Sequence, residues 1–284
     1  MLLKTIEIPV GNMGTVSVRA FCPQPDSACP QHFHRPGAVI CPGGGYQRRD
    51  FNEDEPVALA LAARGVNAFV VDYHVAPCRF PRPQQDAGAA IHYLKTHAAD
   101  YWLDQDRIAL MGFSSGGHLA ASVGVMGSRT DIWNRIGLDW KKDVRPHALV
   151  LCYPVITAGP YAHRNSFIQL TGSENPEDHA ALSLETLVSA ETPPTFLWHT
   201  WTDEIVPVQN SLLFASALTE YHVKTELHIY PEGPHGVSLA NNLTADPNTN
   251  PGMIVPDVQG WFDLAVRFIK SSPSVDACDP QPEG

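Results

Sequence analysis

Gly112-Phe113-Ser114-Ser115-Gly116 fits the pattern Gly-x-Ser-x-Gly, at the end of an apolar run, RIALMGF, and the head of a helix-like one, SSGGHLAASVGVMG. That placement is what lets a serine hydroxyl act as a nucleophile. A tight strand-to-helix turn exposes the hydroxyl on strained backbone. Side chains two positions to either side would collide there, and Gly112 and Gly116 remove them. The helix behind it is expected to start at Ser115, so that its unpaired N–H groups face the point where an oxyanion would form.

A nucleophilic serine needs a base, and the base needs a carboxylate to orient it; in this strand–turn–helix design they follow in the order Ser, Asp or Glu, His. Asp203, in TFLWHTWTDEIVPVQN, directly follows a buried strand and precedes a helix, which puts it at the same sheet edge as Ser114. Glu204 is its competitor. Of the histidines beyond it, His222 lies in a turn after a helix and His228 inside a strand. His235, in YPEGPHGVSL, sits in a Gly/Pro-flanked loop just after a strand, a loop that can swing imidazole over the sheet edge. Pro42-Gly43-Gly44-Gly45-Tyr46 follows another strand. Three residues without side chains let N–H groups converge on one point, the second half of an oxyanion hole. The run matches neither a P-loop nor GxGxxG, and neither fingerprint occurs elsewhere. His32 and His34 form an HxH pair with no third ligand at recognisable spacing, so neither metal nor cofactor is expected.

The elements that would position these groups alternate. KTIEIPV and TVSVRAF read as an antiparallel pair around the Gly11–Gly14 turn. Short apolar runs at 36–42, 66–73, 107–113, 147–156, 195–201 and 225–231 read as strands. Helical stretches are expected from Asn52 to Arg64, from Gln84 to Ala98, behind Ser114, over 207–221 and over 257–270. Strands buried on both faces and alternating with helices imply a mostly parallel sheet covered by helices, with an antiparallel N-terminal pair. Residues 1–270 read as one domain. The stretches 128–145 and 157–192 fall outside the alternation and carry Trp133, Trp140, Tyr161 and Phe167; they are candidates for a cap or a subunit contact. Residues 271–284, almost without apolar content, read as a disordered tail.

Composition narrows the partners. Hydrophobic residues make up 44% of the 284 and charged ones only 17%, against about 25% in an ordinary soluble domain. A surface so short of charge leaves room for a homo-oligomer. The net charge is −11 and no Lys/Arg-rich run occurs, which argues against nucleic acid and anionic membrane surfaces. No apolar run is long enough to span a bilayer, and the N-terminus lacks a signal-peptide core. Six cysteines without a CxxC pair fit reduced thiols and a cytoplasmic location.

Taken together these pieces resemble the α/β-hydrolase superfamily, and within it the bacterial acetyl-esterase branch of the hormone-sensitive-lipase-like carboxylesterases. The residues that carry the resemblance are PGGGY at 42–46, VVDYHVAP at 70–77, PQQDAGAAIHYL at 83–94, DRIALMGFSSGGHLAA at 106–121, WTDEIVP at 201–207 and GPHGVSLA at 233–240. The resemblance implies Ser114 as nucleophile, His235 as base and Asp203 as its orienter. It implies an oxyanion hole from the N–H groups of Ser115, Gly44 and Gly45, and structural roles for Asp72, Asp86 and His118. Pro42 stands where many lipase relatives carry His, and their N-terminal cap helices are missing, which points to short acyl groups. The expected activity is that of a serine carboxylesterase on short-chain acyl esters, including acetylated carbohydrates. Tyr46, Pro154, Val155, Trp201, Ile205 and Val206 lie beside the motif ends and are expected to wall the acyl pocket. Two alternatives stand beside it: a prolyl-oligopeptidase-like peptidase, for whose propeller 284 residues leave no room, and a catalytically silent binding protein of the same fold.

Overall fold

The computed structural model describes residues 1–25 and 34–272, and the structural statements below concern those residues. Eight strands, β1 (Leu2–Pro9), β2 (Thr15–Cys22), β3 (Arg35–Cys41), β4 (Asn67–Val71), β5 (Leu103–Phe113), β6 (Ala148–Cys152), β7 (Thr195–Thr200) and β8 (Thr225–Tyr230), pair into one sheet in the order β1-β2-β4-β3-β5-β6-β7-β8. β1 pairs antiparallel with β2, and β2 antiparallel with β4. From β4 through β3 to β8 every pairing is parallel. This is the mostly parallel sheet with an antiparallel N-terminal pair expected from the sequence.

Successive side chains of the central strands divide between two cores, as a period of two requires. Val39, Leu110, Leu149 and Leu151 face one side, with Ile91 and Leu94 of α2 (Arg82–Thr96) and Leu119 and Val123 of α3 (Ser114–Val125). Ala38, Ile40, Met111 and Val150 face the other. There they meet Val57 and Leu61 of α1 (Glu55–Ala63) and a terminal helix (Trp261–Ser271) whose Trp261 stacks on Trp198 at 4.9 Å. With both faces covered the central strands have no solvent face to charge, which accounts for part of the low charge content.

Several expectations need correction. The stretch from Asn52 to Arg64 is not one helix. A 3-10 turn at Phe51–Glu53 is followed by Asp54 at φ −109°, ψ −114°, and only then by α1. Pro56 fits the first turn of a helix, where no intrahelical N–H is needed. The break turns Glu53 inward. α3 starts at Ser114, one residue before the expected start.

The aromatics of 128–145 are not on the surface. A four-residue helix, α4 (Thr130–Trp133), and a π-helical turn over Trp140–Val144 bury both tryptophans. The indole N–H groups donate to the carbonyls of Met126 (2.9 Å) and Val123 (2.7 Å). Gly88 and Gly127 make the room: a Cβ on either would fall within 2.7 Å of an indole ring. In 157–192, α5 (Arg164–Thr171) and two 3-10 turns bury Phe167, Leu170, Leu182 and Leu184 in the same core; Tyr161 alone of the four flagged aromatics is exposed, at 42%. Beyond β7 lie α6 (Gln209–Glu220) and, as α7, the terminal helix. α7 runs through Ser271, and Ser272 is buried with its hydroxyl on the Phe268 carbonyl, so the tail expected from 271 begins no earlier than 273. Residues 273–284 lie outside the described residues.

Candidate active site

β5 runs into α3 through Ser114 at φ +52°, a left-handed conformation that is rare away from glycine and recurs at functional turns. The flanking glycines are required by contact. A Cβ on Gly112 would collide with the Gly116 carbonyl, and one on Gly116 with the carbonyl oxygens of Cys41 and Pro42.

Ser114, His235 and Asp203 are brought into one hydrogen-bonded line. Ser114 Oγ lies 2.7 Å from His235 Nε2, and His235 Nδ1 lies 2.6 Å from Asp203 Oδ2. A neutral imidazole with its proton on Nδ1 satisfies both contacts, donating to the carboxylate and accepting from the hydroxyl. Asp203 sits in the turn after β7 and His235 in the loop after β8, with their side chains 0% and 11% exposed. Glu204, the competing carboxylate, is exposed.

Asp203 is gripped from several sides. Its Oδ1 accepts from the N–H groups of Ile205 (3.0 Å) and Val206 (2.9 Å). Its Oδ2 also faces His199 Nε2 at 3.2 Å. Burial by itself would push this carboxyl up. The hydrogen bonds from His199 and His235 and the Val206 N–H overcome that and hold it well below the usual carboxylate range. His199 was not singled out from the sequence. Its Nε2 also meets the Val206 carbonyl at 2.8 Å, so Nε2 carries the proton, and Nδ1 accepts from the Ser211 hydroxyl at 2.8 Å. A histidine closing an otherwise apolar strand, four residues before the expected carboxylate, was the available signal.

The glycine loop is divided among three jobs. Gly43 N–H donates to Glu53 Oε2 at 2.7 Å, and its carbonyl accepts from Asp50 N–H at 3.0 Å. Gly45 N–H donates to Ser115 Oγ at 2.8 Å, so Gly45 anchors α3 and is not a donor to an oxyanion, contrary to the expectation. The Gly44 N–H, opposite the committed Gly43 carbonyl across their peptide, has no acceptor among the described residues. Neither has the Ser115 N–H in the first turn of α3, where intrahelical acceptors do not exist.

The expected acyl-pocket wall is also corrected. Tyr46, Val155 and Val206 are 0–1% exposed and offer no surface to a ligand. Pro154 is buried against Gly117 of α3. Tyr46 is held by His118, whose Nδ1 faces the phenol at 3.0 Å while Nε2 donates to the Leu182 carbonyl at 3.0 Å. Burial pushes His118 down to about 4, so this imidazole is neutral and structural. Trp201 and Ile205 are 60% and 56% exposed, at the rim. A cavity of about 440 Å³ opens beside His235, lined also by Thr202, Glu204, Ile205, Glu232, Gly233 and Pro234. Asp72 and Asp86 serve as braces: Asp72 accepts from Arg19, and Asp86 from His74 and Arg82. His34 faces the Leu103 carbonyl, and His32 lies outside the described residues. No group of three metal-ligating side chains occurs among the described residues, and no described helix is long and apolar enough to cross a membrane.

Comparison with known proteins adds a lineage to this geometry. A family model described as BD-FAE matches residues 30–218, a span that holds Ser114 and Asp203 and ends before His235. The chain is similar to endo-1,4-beta-xylanase B of Butyrivibrio fibrisolvens, 36% identical over 210 residues, which are 72% of this chain and 33% of that protein. It is similar to the acetylxylan esterase of Xylanibacter ruminicola, 28% identical over 205 residues, 70% of this chain and 40% of that one. The chain thus spans only a third to two fifths of these two relatives. Among solved structures it resembles an acetyl ester-xyloside bifunctional hydrolase from Caldicellulosiruptor lactoaceticus, with TM-score 0.78 and 34% identity over 95% of this chain and 97% of the other.

Proposed function

The chain belongs to the BD-FAE family, and on that premise we propose that it is a serine carboxylic-ester hydrolase acting on short acyl esters of hydroxylated alcohols, acetylated carbohydrates among them. The observation that carries this reading is the continuous line from Asp203 through His235 to Ser114, together with the Gly44 and Ser115 N–H groups that have no acceptor among the described residues.

The chemistry follows from that line. His235 Nε2 takes the Ser114 proton as Oγ attacks the ester carbonyl. Asp203, held as the anion, keeps the imidazole in the tautomer that can accept and stabilises the imidazolium that forms. The carbonyl oxygen becomes an oxyanion between the N–H groups of Gly44 and Ser115. His235 then delivers its proton to the leaving alcohol, and water repeats the sequence to release the acid. The cavity that Glu204 and Glu232 line adjoins His235, which supports placing the alcohol there. A cavity with two carboxylates suits a neutral, hydroxyl-rich alcohol. The burial of Tyr46, Val155 and Val206, which offer no surface to a ligand, supports a short acyl group. The four described cysteines are free thiols, which supports a cytoplasmic placement.

The test is hydrolysis of p-nitrophenyl acetate, butyrate and octanoate and of acetylated xylo-oligosaccharides by the purified protein. Acetyl esters should be cleaved fastest, and Ser114→Ala should lower kcat by roughly 10⁴-fold or more. Wild-type turnover in that variant, or rates that rise with chain length, would overturn the reading.

A further inference from the structure

The 3-10 turn Phe51–Glu53 touches both halves of the site. Asn52 Nδ2 donates to the carbonyl of Gly236, the residue after His235, at 2.9 Å, and the Asn52 carbonyl accepts from Ser238 Oγ at 2.7 Å. Glu53, only 2% exposed, reaches the other way. Its Oε2 takes the Gly43 N–H at 2.7 Å and its Oε1 the Tyr153 hydroxyl at 2.7 Å. Tyr153 in turn accepts from the Ser238 N–H at 3.0 Å and sets its ring edge-on to the His235 imidazole, centroids 5.1 Å apart. It does so at φ +37°, backbone that a bulky residue adopts only when its surroundings impose it.

We propose that Glu53 is a positioning residue, the centre of a clamp that fixes the glycine loop and the His235 loop at one separation, with one carboxylate oxygen on the Gly43 N–H and the other on the Tyr153 hydroxyl that in turn takes the Ser238 N–H. This rests on the hydrolase reading for its kinetic consequence, though not for its geometry. Nothing in the reaction requires a buried carboxylate here. No Lys or Arg pairs with Glu53 among the described residues, and the groups around it are Tyr153, Tyr73, Cys152, Asp50 and His235. Burial pushes the Glu53 carboxyl up to about 7 against the hydrogen bonds from Tyr153 and Gly43. An anion kept under that opposition is placed for its two acceptor oxygens. Space agrees: a Cβ on Gly43 would fall 2.6 Å from Glu53 Oε2 and 3.0 Å from Ser114 Cβ, so loop, carboxylate and serine are in contact.

Glu53→Gln keeps the shape and loses the second acceptor. Its kcat per titrated active site should fall roughly 10- to 100-fold, the scale of a small misplacement of reacting groups, with KM unchanged. Tyr153→Phe should lower kcat several-fold. The double variant should be no worse than Glu53→Gln alone, because both remove one clamp. Wild-type kcat in either folded variant, or losses that simply multiply, would overturn the proposal. A readout independent of turnover is the Gly43 amide proton followed by NMR. In the wild type it should shift with an apparent pKa near that of Glu53, and in Glu53→Gln the shift should vanish. Persistence in the variant would assign the shift to His235 and overturn the clamp. Should the wild type cleave no ester at all, the hydrolase reading falls, and the amide titration still decides whether Glu53 holds the loop.

Discussion

Two carboxylates are buried within reach of His235, and the protein treats them in opposite ways. Around Asp203, the turn after β7 supplies two N–H donors and two imidazoles converge on one oxygen. That carboxyl is held well below its ordinary range despite burial. Around Glu53, the donors are one N–H and one phenol, with no ion pair to a Lys or Arg among the described residues. Burial wins there and the carboxyl rises to about 7. Desolvation acts on both groups, so the sign of the shift is set by how many hydrogen-bond donors, and how readily charged, face each one. Asp203 is built to be an anion. Glu53 is built to hold two loops, with its charge close to balance at neutral pH.

The sharpest way to break this comparison is Asp203→Asn. The amide keeps the volume and loses the charge and the acceptor that orients His235, so kcat on a short acyl ester should fall by roughly 10⁴-fold. A loss as small as that expected for Glu53→Gln would mean the two carboxylates are not different in kind.

Stability against pH separates them next. Glu53 is raised in the folded state, so between about 4.5 and about 7 the native protein binds more protons than the unfolded chain, and this group lowers stability as pH rises. Asp203 is depressed, so its contribution is present above the ordinary carboxylate range and is lost only as pH falls below it. It adds no slope in the window where Glu53 does. The stability of wild type relative to Glu53→Gln should therefore drop by about 3 kcal/mol from pH 5 to pH 8, measured by urea unfolding. A flat difference would show that Glu53 titrates like an exposed carboxyl.

The smallest effect concerns a neighbour. Arg48 is a cation only five residues away in sequence, but its side chain is 68% exposed and pairs with Asp50. Arg48→Ala should change stability by less than about 0.5 kcal/mol and leave the Glu53-dependent slope intact. A steeper slope in that variant would reveal a compensating charge for Glu53.

How legible this was in the sequence depends on the range of each signal. The strands at 107–113 and 195–201 announce themselves by apolar content, and the glycines at 112 and 116 by a local steric need that the structure expresses as the Cys41 and Gly116 carbonyl contacts. Asp203 and His235 follow from chain order once Ser114 is chosen. The rest was hidden because its partners are far apart in sequence. Nothing near Gly45 says that its N–H will meet Ser115 Oγ, seventy residues on. Tyr46 and Val155 look like pocket residues beside their motifs, and only packing against His118 and the core shows them closed. Trp133 and Trp140 read as surplus aromatics until Gly88 and Gly127 are seen to leave space for their rings.

Sequence alone determined the class of fold, because hydrophobic period and glycine placement are local and the sheet needs little more. It also determined which three side chains meet, because strand ends at one sheet edge converge whatever the loops do. Only the tertiary structure decided which loop N–H groups are taken by acceptors among the described residues, which carboxylate is held low, and that Glu53 meets both Gly43 and Tyr153. Those depend on burial and on donors from distant parts of the chain, and both exist only once the chain is folded.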